Sequence, residues 1–468
     1  MDEGEMSQSA TLKASLESLR DQPDQLIEII LRQAGVIEEL RMEIQSLKEQ
    51  IKDLQNRNDG LSAKVAALET KAARQAAPFR IPEQQRQLQP RKPGRKAGHA
   101  GSCRPVPTVV DEHIEVPLTA CPQCGKKVEP SRPVVQYLEE LPVVRPRVIR
   151  LITHEAHCPG CRQTVRSTHP LQVSLARGAA GVQLGPGVLG LAATLNKQYG
   201  LTMRKTCAVL KSIFGLKLSP GGLTQGLKRM AGKLEPAYEK LVARLRDGPY
   251  VHSDETSWWV GGPGYWLWVF ANKNTTVYRV AQGRGRQVLT DALGEHFGGV
   301  LVSDCLATYD DFNPRQQKCY SHHLKAISHA QEDSPSVWLE DLRWLLQAAM
   351  DLKNHPQEGQ RAVLEQKLEK LLAQPRPTNI EEKVRRRLEK QKDHLFTFLD
   401  HAEVDATNNL AERQLRPAVI ARKVSCGNKT TSGARTWEIL TSLAATATQQ
   451  SQSFATLVSN AALLNPAR

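Results

Sequence analysis

Residues 250–270, YVHSDETSWWVGGPGYWLWVF, predict two β-strands joined by a tight turn. The first strand begins at Tyr250, residues 261–264 form a glycine- and proline-rich turn, and the second strand covers residues 265–270. Because the second strand is apolar on both faces, we expect it to lie inside a sheet. The elements expected after it are a strand over 275–280, an amphipathic helix over 286–297, a strand over 299–304 and a short strand just before Cys319.

Three consecutive strands, a crossover helix and another strand fit an RNase H-like sheet, in which Asp254 and Asp304 lie side by side. Two Mg²⁺ ions bound by such carboxylates can cleave a phosphodiester bond. A third carboxylate is needed, and we expect Glu412, which shares one helix face with Asn408 and Arg416. Carboxylates at strand ends are also common as plain surface groups, so the residue pattern alone leaves the triad open.

The composition is that of a globular protein with a polyanionic partner. The 468 residues correspond to about three domains of ~150 residues. The net charge of +14 and the pI of about 9.4 favour nucleic acid, although a merely basic surface has the same charge. No signal peptide is recognisable, and the longest apolar stretch, residues 188–195, is too short to cross a bilayer. We therefore expect a cytoplasmic, nucleoid-associated protein with no membrane partner.

The N-terminal region, residues 25–70, has the heptad pattern of a coiled coil. Leucines recur every seven residues at position d from Leu40 to Leu68, and isoleucine or valine fills most a positions from Ile30 to Val65. Asn58 at an a position is typical of a parallel two-stranded coil with a fixed register. A long helix packed on its own chain is the alternative, but the narrow a/d stripe favours a homodimer or a larger assembly.

The next segment, residues 71–105, is predicted to be a flexible basic linker. Residues 71–104 contain nine basic residues and one acidic residue, together with several prolines and glycines. A solvated tether is the simplest interpretation, but phosphate contacts are favoured. The residues expected to bind DNA here are Arg91, Lys92, Arg95 and Lys96.

Two Cys-x-x-Cys knuckles, Cys121–Cys124 and Cys158–Cys161, are separated by 33 residues. In a chain without a secretion signal this spacing favours a structural Zn²⁺ ion over disulfides. Residues 134–137 and 143–153 are rich in valine and isoleucine, so we expect a zinc ribbon of short strands over residues 106–172.

Helical patterns occupy residues 180–247 and much of the chain after Cys319. Residues 201–214 and the segment capped by Ser219 form a helix pair compatible with a helix-turn-helix, although a small helical bundle is the preferred interpretation. The catalytic domain is expected over residues 248–450 with a helical insertion at about 330–400, followed by a C-terminal helix or tail over 451–468. The basic residues expected to contact DNA near Glu412 are Arg413, Arg416, Arg422 and Lys423.

Several motifs in order make the chain resemble transposases of the IS66 insertion-sequence family. They are the Lys92-Pro93-Gly94 stretch with Gly98-His99, both knuckles, His252–Thr256, Tyr265–Trp268, Val302–Asp304 with Tyr309, Cys319–His322, and Asn409–Arg413 with Leu415–Pro417. The resemblance covers nearly everything after the coil and implies a DDE triad of Asp254, Asp304 and Glu412. It also implies that Cys319 and His322 form a C-x-x-H element that supports the site without binding its metals, with Asn409 as a further supporting residue.

The resemblance implies a multidomain α+β enzyme that frees a 3′-OH at the ends of its own element and joins it to target DNA. Its cofactors are two Mg²⁺ ions, which Mn²⁺ could replace, and a structural Zn²⁺. Its partners are the terminal inverted repeats, the target DNA, a second copy of the chain and small accessory proteins of the same element. The alternatives are a non-catalytic or domesticated DNA-binding regulator and an RNase H-like nuclease without strand transfer.

Overall fold

The computed structural model describes residues 23–76, 104–128, 134–142, 144–176, 181–355 and 359–463 and has a mixed α+β fold. It divides into two units, Met1–Leu138 and Glu139–Arg468. The helices are α1 Pro23–Ala76, α2 Pro186–Ala193, α3 Met203–Phe214, α4 Pro220–Arg246, α5 Gln287–Leu293, α6 Tyr320–Asp333, α7 Val337–Asn354, α8 Gln360–Leu372, α9 Asn379–Gln391, α10 Thr397–Asp400, α11 Asn409–Ser425, α12 Thr431–Gln449 and α13 Phe454–Ala462. The strands are β1 Glu155–His157, β2 Thr164–Arg166, β3 Tyr250–Trp258, β4 Tyr265–Ala271, β5 Thr276–Gln282, β6 Val300–Ser303 and β7 Gln316–Lys318.

In the first unit, α1 is a single helix of 54 residues that contains the heptad region. It continues to Ala76, so the flexible linker predicted to begin at residue 71 is helical over 71–76, where the sequence KAARQA consists of strong helix formers. Its a and d side chains from Ile30 to Leu61 are about half exposed within one chain, for example Ile37 at 51% and Leu47 at 49%. Such an apolar seam is what a coiled-coil partner covers. The side chains of Val65 and Leu68 lie outside the described residues, and the dimer stays a prediction. None of the helices in the described ranges has a stretch of apolar residues that could span a lipid bilayer.

The second unit contains a five-stranded mixed sheet with the order β5-β4-β3-β6-β7. β3, β4 and β5 are antiparallel neighbours, whereas β6 runs parallel to β3 and β7 runs parallel to β6. The predicted strands and the short strand before Cys319 are therefore confirmed. β4 is an inner strand, as its sequence indicates: Trp268 and Phe270 pack with α4 on one face, and Leu267 and Val269 pack with α11 on the other.

The expected strands of the zinc ribbon are not where the sequence placed them. Residues 134–137 and the described part of 143–153 form no strand, and a short hairpin of β1 and β2 flanks the second knuckle instead. Pro142 and Pro146 lack the amide hydrogen that a strand ladder requires. The content of valine and isoleucine alone therefore did not predict where the strands lie, because a strand also needs a neighbouring strand to pair with.

Local capping signals in the helical region agree with the structure. α3 ends at Gly215, which has a left-handed φ of 69°, and Ser219 caps α4 by accepting a hydrogen bond from the Gly222 amide at 3.0 Å. α4 then buries Leu223, Leu227 and other apolar residues in one continuous core with the sheet. The helical segment after β7 forms its own core against Tyr250, Val300 and Val302.

Two helices are shorter than their patterns predicted. The helix expected over 286–297 ends at Leu293, because Gly294 adopts a positive φ of 86°. The apolar pattern of residues 380–399, within the expected helical insertion, predicts one helix, but the helix breaks after Gln391, and Leu395, Phe396 and Phe398 are all buried. The Gln317 side chain compensates for the lost helical hydrogen bonds by donating to Leu395 O and accepting from the Phe398 amide.

Candidate active site

Asp254 and Asp304 extend from neighbouring parallel strands. The register pairs His252 of β3 with Val302 of β6, so each aspartate lies two residues beyond that pair. A carboxylate oxygen from Asp254, one from Asp304 and one from Glu255 all lie within 4.8 Å of one another. The parallel pairing therefore brings together two of the three predicted triad residues.

Asp254 is surrounded by negative charge in a partly buried position. Its Oδ1 accepts a hydrogen bond from the Glu255 amide at 2.8 Å. Burial raises the pKa of Asp254 to about 7, and the charges of Glu255, Asp304 and Glu412 add to this increase. The Leu306 amide donates to Asp304 Oδ1 at 2.9 Å, which orients the second carboxylate. Such a concentration of carboxylates favours binding of a cation.

Glu255 is a further site residue that sequence reasoning did not select. Its side chain is buried, and its oxygens accept hydrogen bonds from Arg284, with Nε at 2.9 Å, and from the Tyr309 hydroxyl. Burial raises the pKa of Glu255, while the hydrogen bonds from Tyr309 and Arg284 oppose that rise. Ser253 Oγ lies 3.3 Å from the Tyr309 hydroxyl. Alternation along a strand would place Glu255 on the face opposite Asp254, and only the fold shows that the two carboxylates converge.

Glu412 lies in the first turn of α11, and its charge contributes to the raised pKa of Asp254. Asn408, immediately before α11, is buried and connects this helix to β3. Its side-chain amide donates to Ser253 O at 2.8 Å, and its Oδ1 lies 3.1 Å from His252 Nδ1. The predicted supporting residue Asn409 is exposed. The supporting contacts are made by Asn408, the residue immediately before the helix.

Cys319 and His322 lie beside Glu412. Ligand atoms of these three residues are within 4.8 Å of one another. Burial alone raises the pKa of Cys319, but hydrogen bonds with His322 and from the Asn408 amide outweigh it, so the thiol pKa is lowered. The same bond with Cys319 raises the pKa of His322. The C-x-x-H element is thus adjacent to the third predicted carboxylate.

The predicted DNA-binding residues of α11 differ in their surroundings. Arg413, Arg416 and Lys423 are exposed. Arg422 instead donates to Thr256 Oγ1 at 3.0 Å and to Ser257 Oγ at 2.9 Å, which joins α11 to β3. The structure therefore shows Arg422 in contacts within the protein.

The remaining predicted sites lie in the N-terminal half. Arg91, Lys92, Arg95 and Lys96 are outside the described residues. Each cysteine knuckle forms its own tight turn: the Gly125 amide donates to Cys121 O, and the Arg162 amide donates to Cys158 O, both at 2.9 Å. In each turn, hydrogen bonds lower the pKa of the first thiol, Cys121 or Cys158, which favours the thiolate that zinc binds.

The side chains of this cluster suit the Mg²⁺ ions that the sequence predicts. The cluster of Asp254, Asp304 and Glu255 offers only oxygen donors, as Mg²⁺ prefers, and Asp254 is destabilised as an anion without a cation. Because Glu255 is held by Arg284 and Tyr309, the two aspartates are the carboxylates of this cluster that remain available to a cation.

Comparison with known proteins gives a match to a family model. The family model described as "Transposase IS66 family" matches residues 181–436, which is more than half of the chain. The chain is also similar to "Uncharacterized protein y4qI" from Sinorhizobium fredii (strain NBRC 101917 / NGR234), with 24% identity over 273 residues. The match covers 49% of this chain and 50% of that relative, so the chain spans about half the length of the curated relative.

Proposed function

Because the chain belongs to the IS66 transposase family, we propose that it is a DDE transposase that cleaves the ends of its own insertion element and joins the freed 3′-OH to target DNA. The observation that carries this proposal is the convergence of the Asp254 and Asp304 carboxylates just beyond the paired segment of two adjacent parallel strands, with Glu412 near enough for its charge to raise the pKa of Asp254. The strand order, with three antiparallel strands followed by two parallel ones, supports an RNase H-like core.

In this proposal Asp254, Asp304 and Glu412 hold two Mg²⁺ ions. When bound, the ions activate the attacking oxygen and stabilise the leaving oxygen of the phosphodiester. Asn408 fixes the start of α11 against β3 and thereby sets the position of Glu412 relative to Asp254. Glu255, paired with Arg284 and hydrogen-bonded to Tyr309, holds the middle of β3, next to Asp254, in place.

The DNA is proposed to cross the exposed side of α11. Arg413, Arg416 and Lys423 are exposed cations on the helix that carries Glu412, so phosphates bound there would lie next to the carboxylates. The sequence-based proposals for the rest of the chain complete the assembly: four knuckle cysteines hold a structural Zn²⁺, the basic linker contacts phosphates, and α1 pairs two protomers so that two element ends meet.

The test is cleavage and strand transfer with labelled element ends. We expect Asp254→Asn to abolish strand cleavage while end binding is retained, because the change removes a metal ligand and no DNA contact. Asp341→Asn, at an exposed carboxylate on α7, is the control and should cleave normally.

Cleavage by Asp254→Asn at the wild-type rate would disprove the triad. Wild-type cleavage without joining would indicate a nuclease, and end binding without any cleavage would indicate a regulator.

A further inference from the structure

A second group of metal-ligating side chains adjoins the aspartate cluster at the start of α6. Cys319 is fully buried just before the helix, and His322 follows in its first turn, where the His322 amide lies 3.2 Å from Cys319 O. This turn directs both side chains toward Glu412 on α11, and their ligand atoms lie within 4.8 Å of one another.

The donors of this group differ in kind from those of the aspartate cluster. Asp254, Glu255 and Asp304 offer carboxylate oxygens alone, which suit hard ions such as Mg²⁺. A thiolate, an imidazole and a carboxylate suit a borderline ion such as Zn²⁺, which is bound in this way in sites with three protein ligands. The two neighbouring groups therefore offer donors suited to different metals.

Two further observations point to an ion rather than a simple hydrogen-bonded pair. His322 Nδ1 is buried and has no hydrogen-bond partner in the described part of the chain. A buried polar atom without a partner is costly, and a metal ion bound through this nitrogen would satisfy it. In addition, the Asn408 amide lies 3.1 Å from Cys319 Sγ, the kind of outer contact that orients metal-bound thiolates.

We propose that Cys319, His322 and Glu412 form a second metal site, which takes one Zn²⁺-like ion and leaves its fourth position open. Glu412 has two carboxylate oxygens, so one can bind this ion while the other stays available to the Mg²⁺ ions of the proposed function. The ion is distinct from the Mg²⁺ ions of the proposed function, and its role is to hold Glu412 in position. The site uses Glu412 of the proposed function, but its other two donors are separate, so each proposal can fail alone.

The test uses Co²⁺ as a spectroscopic probe in the full-length chain. Serine replaces all four knuckle cysteines, which removes the other expected thiolate site. We expect one tightly bound Co²⁺ with a sulfur-to-cobalt charge-transfer band, which is lost in Cys319→Ser. The visible cobalt bands should change in His322→Ala. Cys207→Ser, which removes another buried thiol on α3, is the matched control and should leave the spectrum unchanged.

A second measurement does not depend on the folding of the variant that lacks the four knuckle cysteines. In the otherwise wild-type chain, Cys319→Ser should lower the zinc content by one ion per chain, whereas Cys207→Ser should not. A spectrum and a zinc content unaffected by Cys319→Ser would overturn the proposal and leave Cys319 and His322 as a hydrogen-bonded pair. Asp254→Asn distinguishes the two proposals: loss of cleavage with an unchanged cobalt spectrum would separate the aspartate site from this one.

Discussion

The charge of Asp254 is the residue-scale property from which a pH dependence follows. In the folded protein without metal its pKa is about 7, compared with an ordinary value of 3.8. A carboxyl group with a raised folded-state pKa favours folding only while it is protonated. Its contribution to stability is therefore lost as the pH rises from about 4 through 7.

We expect Asp254→Asn to increase the free energy of unfolding in EDTA at pH 8, by on the order of 2 kcal/mol, because the buried negative charge is removed. The gain should shrink at pH 5, where wild-type Asp254 is protonated in the folded state. Denaturant unfolding at both pH values measures it, with Asp341→Asn as the control. Added Mg²⁺ should stabilise the wild type much more than Asp254→Asn. A gain of equal size at both pH values would contradict the raised pKa.

Asn408 and Asn409 form a matched pair for a second prediction at this scale. Asn408 is buried and contacts Ser253 and His252, whereas Asn409 is exposed. Asn408→Ala should reduce the free energy of unfolding by about 2–4 kcal/mol, because the polar groups around it lose their partners. Asn409→Ala should change it by less than about 0.5 kcal/mol. Thermal and denaturant unfolding measure both changes in stability. Equal effects of the two substitutions would show that Asn408 does not hold α11 against β3.

At the scale of elements, α11 has an exposed basic side and a side that faces the sheet. Arg422 hydrogen-bonds to Thr256 and Ser257 of β3, while Lys423 is exposed. Two neighbouring cations of the same helix therefore differ: Arg422 joins α11 to β3, whereas Lys423 is exposed. The sequence pattern alone had predicted DNA binding for both.

Lys423→Ala should weaken DNA binding uniformly across sequences and reduce the salt slope by about 1, with little change in thermal stability. Arg422→Ala should instead lower the melting temperature, because it removes contacts that join α11 to β3. Binding titrations at several salt concentrations, together with thermal unfolding, separate the two effects. A loss of stability with Lys423→Ala and none with Arg422→Ala would reverse the assignment.

At the scale of the whole molecule, the charge of +14 is unevenly distributed along the chain. Residues 71–104, which begin in the last six residues of α1 and end before the first cysteine knuckle, hold nine basic residues and one acidic residue. If this segment contacts DNA, it contributes affinity that does not depend on sequence and falls steeply with salt.

Deletion of residues 71–104 should therefore weaken binding to non-specific DNA and lower its salt slope. Replacement by a glycine- and serine-rich linker of the same length keeps the spacing and is the control for reach. It should show the same loss as the deletion. An unchanged affinity and salt slope in both variants would mean that the charge of this segment only aids solubility.

The elements of the second unit were predictable where local patterns are strong. The strands from Tyr250 to Gln282 and the cap at Ser219 follow from alternation, turn residues and capping residues within a few positions. The break after Gln391 and the absence of strands at 134–137 were not predictable, because both depend on distant partners. Gln317 stabilises the first, and no pairing strand exists for the second in the described residues.

The sequence by itself determined the heptad seam, the cysteine knuckles and the succession of strands along the chain. It also determined Asp254, Asp304 and Glu412 as the candidate catalytic carboxylates. All of these are periodicities or motifs of neighbouring residues, which the chain carries regardless of its folded contacts. Only the tertiary structure decided that Glu255 joins the aspartates, that Asn408 rather than Asn409 anchors α11, and that Cys319 and His322 meet Glu412. Those contacts join residues dozens to more than a hundred positions apart, and parallel strand pairing and helix packing fix such distances, which spacing along the chain does not.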